Sequence, residues 1–337
     1  MAGLVLSSCQ KESFITSPDA RLTIRADTLR FDTVFTSAGS VTKRFTLVND
    51  NPQKLRISRI RLAGGTASAY ALNINGQPIP EAAGIEMNAN DSLYLFVRVS
   101  IDPTNAENPF IVRDSIQVDY NGNTRWVQLE AYGQNARYVS GGIMDMNTTW
   151  DARLPWVVLS SILVEPGVTF TIEKGARIYC RNSAAIVVQG TLLCQGDVAE
   201  TERIIFRGDR LDEPYSSFPG SWPGIIFLEG STGNRLRYTH ILNAYQSIVA
   251  QGDADALPAK LVLEQCAVDN AYDIGILAIN SSITATNCRI TQCGNDGITG
   301  NGGSNIILSG GGKYHFEHNT IATFANFYQN HRQPVLV

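Results

Sequence analysis

The chain has little charge and no long apolar run. Of its 337 residues only 17% are Asp, Glu, Lys or Arg, against roughly 25% in an average soluble domain. No stretch of about 18 apolar residues occurs, so no helix is expected to span a bilayer. Cysteine is missing from Gln10 to Tyr179, and no CxxC occurs anywhere, which argues against a zinc or dithiol redox site. Histidine is scarce, and His315 and His318, three apart on a strand, point to opposite faces and cannot share a metal. His240 and His331 stand alone. Basic runs are absent too: 27 Lys and Arg against 31 Asp and Glu give a net charge of −4, so nucleic acid is a poor candidate partner. The Gly310-Gly311-Gly312 run lacks the following helix and the Lys-Ser/Thr pair of a phosphate loop. No metal or other cofactor is expected.

Glycine (29), proline (13) and a 44% hydrophobic content are what the chain does have. Its length allows one large or two ordinary domains with a real core. From Arg21 to Gly133 apolar and polar residues alternate, as in Leu29-x-Phe31, Phe45-x-Leu47, Leu93-x-Leu95-x-Val97-x-Val99 and Ile116-x-Val118. Asn121-Gly122 marks a two-residue hairpin turn and Asn75-Gly76 another, because both central positions need positive φ. Some seven short strands over residues 21–135 fit a β-sandwich. No cluster of His, Cys or paired acids marks it, so it reads as a spacer and as a cap for the C-terminal part of the chain.

Beyond residue 135 the sequence repeats itself. Ile225 (GIIF), Ile248 (SIVA), Ile276 (GILA) and Ile298 (GITG) head similar runs at steps of 23, 28 and 22 residues. A second string recurs as LxLxxCxV at Leu261, IxAxxCxI at Ile283 and YxFxxNxI at Tyr314, with a looser copy at Leu236. Period-two runs repeated at this interval predict a β-solenoid, whose coils bury their inner residues by stacking. Gln134–Thr149 reads as the crossing into it, and Val157–Val164 as one of its first strands. Asp209–Ser221, Gln251–Pro258 and the glycine-rich Asn301–Gly312 read as inserts. Cys266 and Cys288 fall at equivalent places of neighbouring coils, either as a ladder of small buried thiols or as a disulfide. Pro334–Val337 is an apolar strand with nothing polar behind it, so the solenoid is expected to be continued or covered there.

Three stretches carry resemblances. Leu4-Val5-Leu6-Ser7-Ser8-Cys9 resembles a bacterial lipobox and Gln10-Lys11-Glu12 the charged tag of surface-exposed lipoproteins. The resemblance implies lipid attachment at Cys9, an outer-membrane, surface-exposed location, and membrane contact through the lipid alone. With eight residues before Cys9 the leader reads as clipped, and residues 1–20 as signal and tether; the other reading is a disordered tail with a stray Cys. The spacing of Phe31-Asp-Thr-Val-Phe35, Phe45-Thr-Leu-Val-Asn49 and Ala131-Tyr-Gly-Gln134 resembles immunoglobulin-like modules that precede β-helices in such lipoproteins. The string VEPGVTFTIEKGARIYC…VQGTLLCQG…IIF with Trp222-Pro-Gly-Ile-Ile226 resembles the right-handed parallel β-helix of pectin-lyase-like proteins over residues 140–337. The expected fold is therefore all-β, an immunoglobulin-like sandwich followed by a right-handed parallel β-helix.

Coil equivalence makes chemistry testable, since the same place on adjacent coils lies about 4.8 Å apart. Aligning the coils sets Asp269 opposite Thr291, Glu264 opposite Thr286 and Asp273 opposite Asn295, so no acid faces an acid. Glycosidases need two carboxyls about 5–9.5 Å apart, so only the insert acids Asp212, Glu213, Asp253 and Asp255 could supply a pair. Asn243-Ala-Tyr245 and Asn270-Ala-Tyr272 recur just before successive coils, with Asp273, Asn295 and Asp296 at the same edge. Tyr245, Tyr272, Asp273, Asn295 and Asp296 could form a sugar-binding face, an aromatic plane flanked by polar groups; the plainer reading is a turn asparagine and a packing tyrosine. The expected function is a non-catalytic surface protein binding a polysaccharide or another surface protein. The alternative is a polysaccharide lyase or hydrolase using the same groove.

Overall fold

The computed structural model describes residues 13–36, 39–103, 109–255, 257–294, 303–323 and 334–337. Strands dominate, and the helical content among the described residues is three single 3-10 turns. The chain divides into two compact units, Met1–Asn135 and Ala136–Val337.

The first unit is a β-sandwich of two five-stranded sheets. One holds Leu22–Ile24, Lys43–Asn49, Ser92–Val99, Tyr70–Ile74 and Gln77–Pro78, and the other Thr28–Phe35, Asn123–Gln134, Phe110–Tyr120, Leu55–Leu62 and Glu81–Met87. Alternation in the sequence becomes alternation in burial: Leu47, Leu95 and Val97 of the first sheet and Ile57, Ile116 and Val127 of the second share one core. Asn121 and Gly122 take φ of 44° and 80°, so Tyr120 pairs directly with Asn123. Asn75 and Gly76 make the same turn before Gln77.

The second unit is a parallel β-helix of three sheets with eight, seven and seven strands. Each coil lays one strand in each sheet. The first sheet runs from Arg137–Val139 to Thr320–Ala322, the second from Gly142–Met144 to Ile306–Ser309, and the third from Thr148–Trp150 to Tyr314–Glu317. Inward residues stack by type. In the second sheet Ile162, Ile186, Ile225, Ile248, Ile276 and Ile306 lie in register, every one buried. The second string is in register as well: Leu261, Ile283 and Tyr314 align, as do Val268, Ile290 and Ile321.

Four details of the sequence reading change. Residues 134–149 are not only a crossing, because they already contain the first coil's three strands, Arg137–Val139, Gly142–Met144 and Thr148–Trp150. The apolar run 157–164 is two strands, Trp156–Val158 and Ile162–Val164, in different sheets, bent at Leu159-Ser160-Ser161. Ile276 pairs with Ile306, not with Ile298, which lies outside the described residues. Both GITG and NIIL have the look of a rung. The buried Asn305 selects the second: its Oδ1 accepts from the Cys293 amide at 2.9 Å and its Nδ2 donates to the Ala322 carbonyl at 3.0 Å. Asn301–Gly312 is therefore not one glycine-rich insert, since it contains the strand Ile306–Ser309.

Cys266 and Cys288 sit at the same place on adjacent coils, between the pairs Glu264–Thr286 and Ala267–Arg289, and both are buried free thiols. Cys9 lies outside the described residues. Residues 335–337 hydrogen-bond to Ile306 and Leu308, extending the second sheet by a further segment.

Candidate functional site

The site is built at the corner where the chain passes from the first sheet to the second. Asn243, Asn270 and Gln292 turn that corner with φ of 60°, 60° and 56°, a left-handed conformation that asparagine tolerates better than most side chains. Each corner amide donates to the coil above, Asn243 to the Asp269 carbonyl at 3.1 Å and Asn270 to the Thr291 carbonyl at 3.0 Å. The side chains form a second ladder, with Asn270 Nδ2 donating to Asn243 Oδ1 at 2.7 Å. Both amides also grip the loop 209–221: Asn243 Nδ2 donates to the Ser216 carbonyl at 2.7 Å and Asn270 Nδ2 to the Ser217 carbonyl at 2.9 Å. These asparagines are spent on structure.

Ala244 and Ala271 come next, fully buried, and turn the following residue outward. Tyr245 and Tyr272 therefore project side by side, 48% and 38% exposed, with ring centroids 5.5 Å apart and planes 19° from parallel. Their backbone is fixed: the Tyr245 amide donates to the Trp222 carbonyl at 2.7 Å, and the Tyr272 amide to the Ala244 carbonyl at 2.8 Å. Trp222 beneath them is fully buried, stacks on Phe206, and donates its indole N–H to the Leu242 carbonyl at 2.9 Å. Asp273 is half-buried beside the pair, its Oδ2 accepting from Gln246 Nε2 at 2.8 Å. The structure thus brings together Tyr245, Tyr272 and Asp273. Asn295 and Asp296 lie outside the described residues.

The two short corners at 243–245 and 270–273 lie between two long connections joining the same sheets, 209–224 in the preceding coil and 292–305 in the following one. Gly220 of the first touches Tyr272, where an added Cβ would stand 3.2 Å from the tyrosine Cβ. Gly303 of the second passes so close to the Asp273 carbonyl that a Cβ there would clash at 1.7 Å. Only glycine fits that crossing.

The loop 209–221 brings residues that the sequence reading did not single out. Together with Arg181 it frames a cleft of about 410 Å³. Tyr215 meets Phe218 edge to face at 5.3 Å, and the Arg210 guanidinium lies 4.1 Å over the Tyr215 ring while holding Asp212 by a two-pronged ion pair at 2.7 and 2.9 Å. Arg207 Nη2 donates to the Ser216 carbonyl at 2.7 Å, pinning the loop from below. Burial pushes the Asp209 carboxyl up from its ordinary range, against the pull of Arg181 at 3.5 Å. Two aromatics within a Pro- and Gly-rich insert were the available signal.

The insert acids and the coil acids Glu264 and Asp269 each have a partner. Asp212 pairs with Arg210, Asp253 with Lys260 at 3.1 Å and Asp255 with Lys313 at 3.2 Å, while Glu213 accepts from the Ser216 hydroxyl. Glu264 accepts from Arg235 at 2.6 and 3.0 Å and faces Thr286; Asp269 accepts from its in-register neighbour Thr291 at 2.7 Å. His315 and His318 both approach Glu317, at 3.3 and 3.2 Å, and His331 is outside the described residues. Among the described residues no group of three or more His, Cys, Asp or Glu could hold a metal, and no helix is long and apolar enough to cross a membrane.

The chain matches no protein-family profile and no curated protein. Among solved structures it is similar in part to a family 123 glycoside hydrolase from Clostridium perfringens, at 10% identity and a TM-score of 0.25 over 39% of this chain and 30% of that one. It is also similar to the VesB protease of Vibrio cholerae, at 12% identity and a TM-score of 0.23 over 33% and 31%. For the E. coli chaperone DraB the values are 6% and 0.23 over 34% and 55%. The similarity spans less than two thirds of each of these proteins. At these scores it carries no argument about fold or function.

Proposed function

We propose that the chain is a non-catalytic cell-surface protein whose β-helix offers the Tyr245–Tyr272 face to a glycan. The supporting observation is that pair itself: two stacked, outward rings on hydrogen-bonded backbone, with Tyr272 against Gly220 of the loop 209–221 and the Asp273 carboxylate next in the chain. Pyranose rings present an apolar C–H face that packs on aromatic surface, and their hydroxyls seek carboxylates and amides. A rigid platform lowers the entropy lost on binding. In this reading the first unit is an immunoglobulin-like spacer, and Cys9 carries the lipid that holds the protein at the outer membrane, with two or more acyl chains giving a stable anchor.

The test is a glycan array followed by calorimetry on the best ligand. Changing both Tyr245→Ala and Tyr272→Ala is expected to weaken binding by roughly a hundredfold while leaving the circular dichroism spectrum unchanged. Wild-type affinity in that double variant would remove the tyrosine face from the account. A second arm incubates the protein with acidic polysaccharides, with and without calcium. Unsaturated or reducing ends whose appearance is abolished by Asp273→Ala or Asp296→Ala would establish an enzyme in its place.

A further inference from the structure

A second, separate cleft lies at the corner between the third sheet and the first. Four residues turn that corner in the left-handed region, Tyr238, Gln265, Asn287 and His318 (φ of 43°, 55°, 52° and 54°). Just past it, on successive coils of the first sheet, His240, Ala267, Arg289 and Thr320 stand one above another in register. Arg203 comes from the coil before and places Nη1 at 3.3 Å from His240 Nε2. Together they line a cleft of about 580 Å³, and among the described residues no Asp or Glu belongs to its lining.

Three observations converge on this cleft. The Arg203 Nε–H is buried and has no hydrogen-bond partner among the described residues. The Arg289 side chain is half-exposed, and its ion pair with Asp269 is long, at 3.9 Å. Ala267 lies between His240 and Arg289, so where the neighbouring coils carry long side chains this rung carries a methyl group. Two rungs span about 10 Å, enough for a tetrahedral group to fit between the Arg203–His240 pair on one side and Arg289 on the other. Guanidinium donors match an oxyanion in geometry as well as charge.

We propose that this cleft binds an oxyanion, a sulfate or phosphate group, over Ala267 and between Arg203, His240 and Arg289. The cleft exceeds the size of the bare ion and leaves room for the molecule that carries it. His240 acts as the reporter. Burial lowers its pKa below the ordinary imidazole range, and the positive charges of Arg203 and Arg289 lower it further against Asp269 and Glu200. An anion seated between the arginines offsets their field, so its binding raises the His240 pKa toward the ordinary range. This site shares no residue with the tyrosine face, and its fate is decided separately.

The experiment follows the His240 ring proton by NMR in the full chain at constant ionic strength, using sodium sulfate, sodium phosphate, glucose 6-sulfate, glucose 6-phosphate and plain glucose, with sodium chloride as the reference. Sulfate or phosphate is expected to shift the signal saturably and to raise the His240 titration midpoint. Arg289→Gln, a change at an exposed position, is expected to weaken that binding about tenfold with the fold intact. Tighter binding of a sugar ester than of the free ion identifies an esterified ligand, and equal binding a free ion; either upholds the site. A response to sulfate that does not saturate and matches chloride, an equal response to glucose, or an unchanged affinity in Arg289→Gln overturns it.

Discussion

Replacing Lys260 by Met is expected to lower the stability of the β-helix by about 2–4 kcal/mol. The Lys260 side chain has no solvent exposure, yet it carries an ammonium group. That group donates to the Leu228 and Ser231 carbonyls at 3.0 Å each and lies 3.1 Å from Asp253. The lysine backbone belongs to the same knot: its amide donates to Ser282 Oγ at 3.1 Å and its carbonyl accepts from Asn234 Nδ2 at the same distance. Asn234 in turn accepts from the Leu192 amide at 2.8 Å. One residue therefore ties several coils together at the corner between the second and third sheets. Methionine would fill much of the space but donate nothing. The Ser231 carbonyl would be left without a donor at a cost of about 1–3 kcal/mol, the Leu228 carbonyl would keep the Ser231 amide at 3.1 Å, and Asp253 would lose its counter-charge. Urea unfolding followed by circular dichroism should show a lower midpoint at an unchanged slope. Adding Asp253→Asn should recover part of the loss, because the two residues share one interaction. A Lys260→Met protein within about 1 kcal/mol of wild type would show that the knot contributes little.

Trp222→Ala is expected to lower stability by a similar amount, about 3–5 kcal/mol. The indole is the largest fully buried side chain among the described residues, and removing it leaves a cavity against Phe206 and an orphaned Leu242 carbonyl. It also leaves Tyr245 on weaker footing, since the tyrosine amide is held by the Trp222 carbonyl and residues 222 and 244 bridge the two coils. The expected result is a double defect, in unfolding midpoint and in ligand affinity. Trp222→Phe separates its causes: it keeps most of the packing and loses only the indole donor, so a smaller change of about 1–2 kcal/mol is expected. Equal losses in the two variants would mean that packing contributes almost nothing at this position, contrary to the burial.

Much of this architecture can be read from the residues, and the parts that cannot have physical reasons. The isoleucine column and the LxLxxCxV string were legible because stacked coils impose the same inward side chain at the same phase. Corners were less legible. Leu159-Ser160-Ser161 bends the chain between two sheets without Gly or Pro, so an apolar run reads straight through it. Ile298 looked like a rung because Gly-Ile-Thr-Gly has the composition of one, whereas the choice of Ile306 depends on Asn305 binding both Cys293 at the start of its own connection and Ala322 of the next coil. Lys260 gave no sign at all, since burial of an ammonium group depends on carbonyls 29 and 32 residues earlier in the chain. At the tyrosine face the repeat Asn-Ala-Tyr pointed to the right pair. It did not show that the asparagines were committed to the loop 209–221, or that this loop adds Arg210, Tyr215 and Phe218.

Short corners have an evolutionary corollary. Between the first and second sheets the chain crosses in a few residues at 243–245 and 270–273 but takes a dozen or more at 209–224 and 292–305, and the strands on either side stay aligned throughout. Lengthening such a bend changes the exterior and leaves the interior untouched. A lineage built on this plan could exchange its recognition loops one at a time, acquiring new specificities through small insertions while inheriting its interior unaltered.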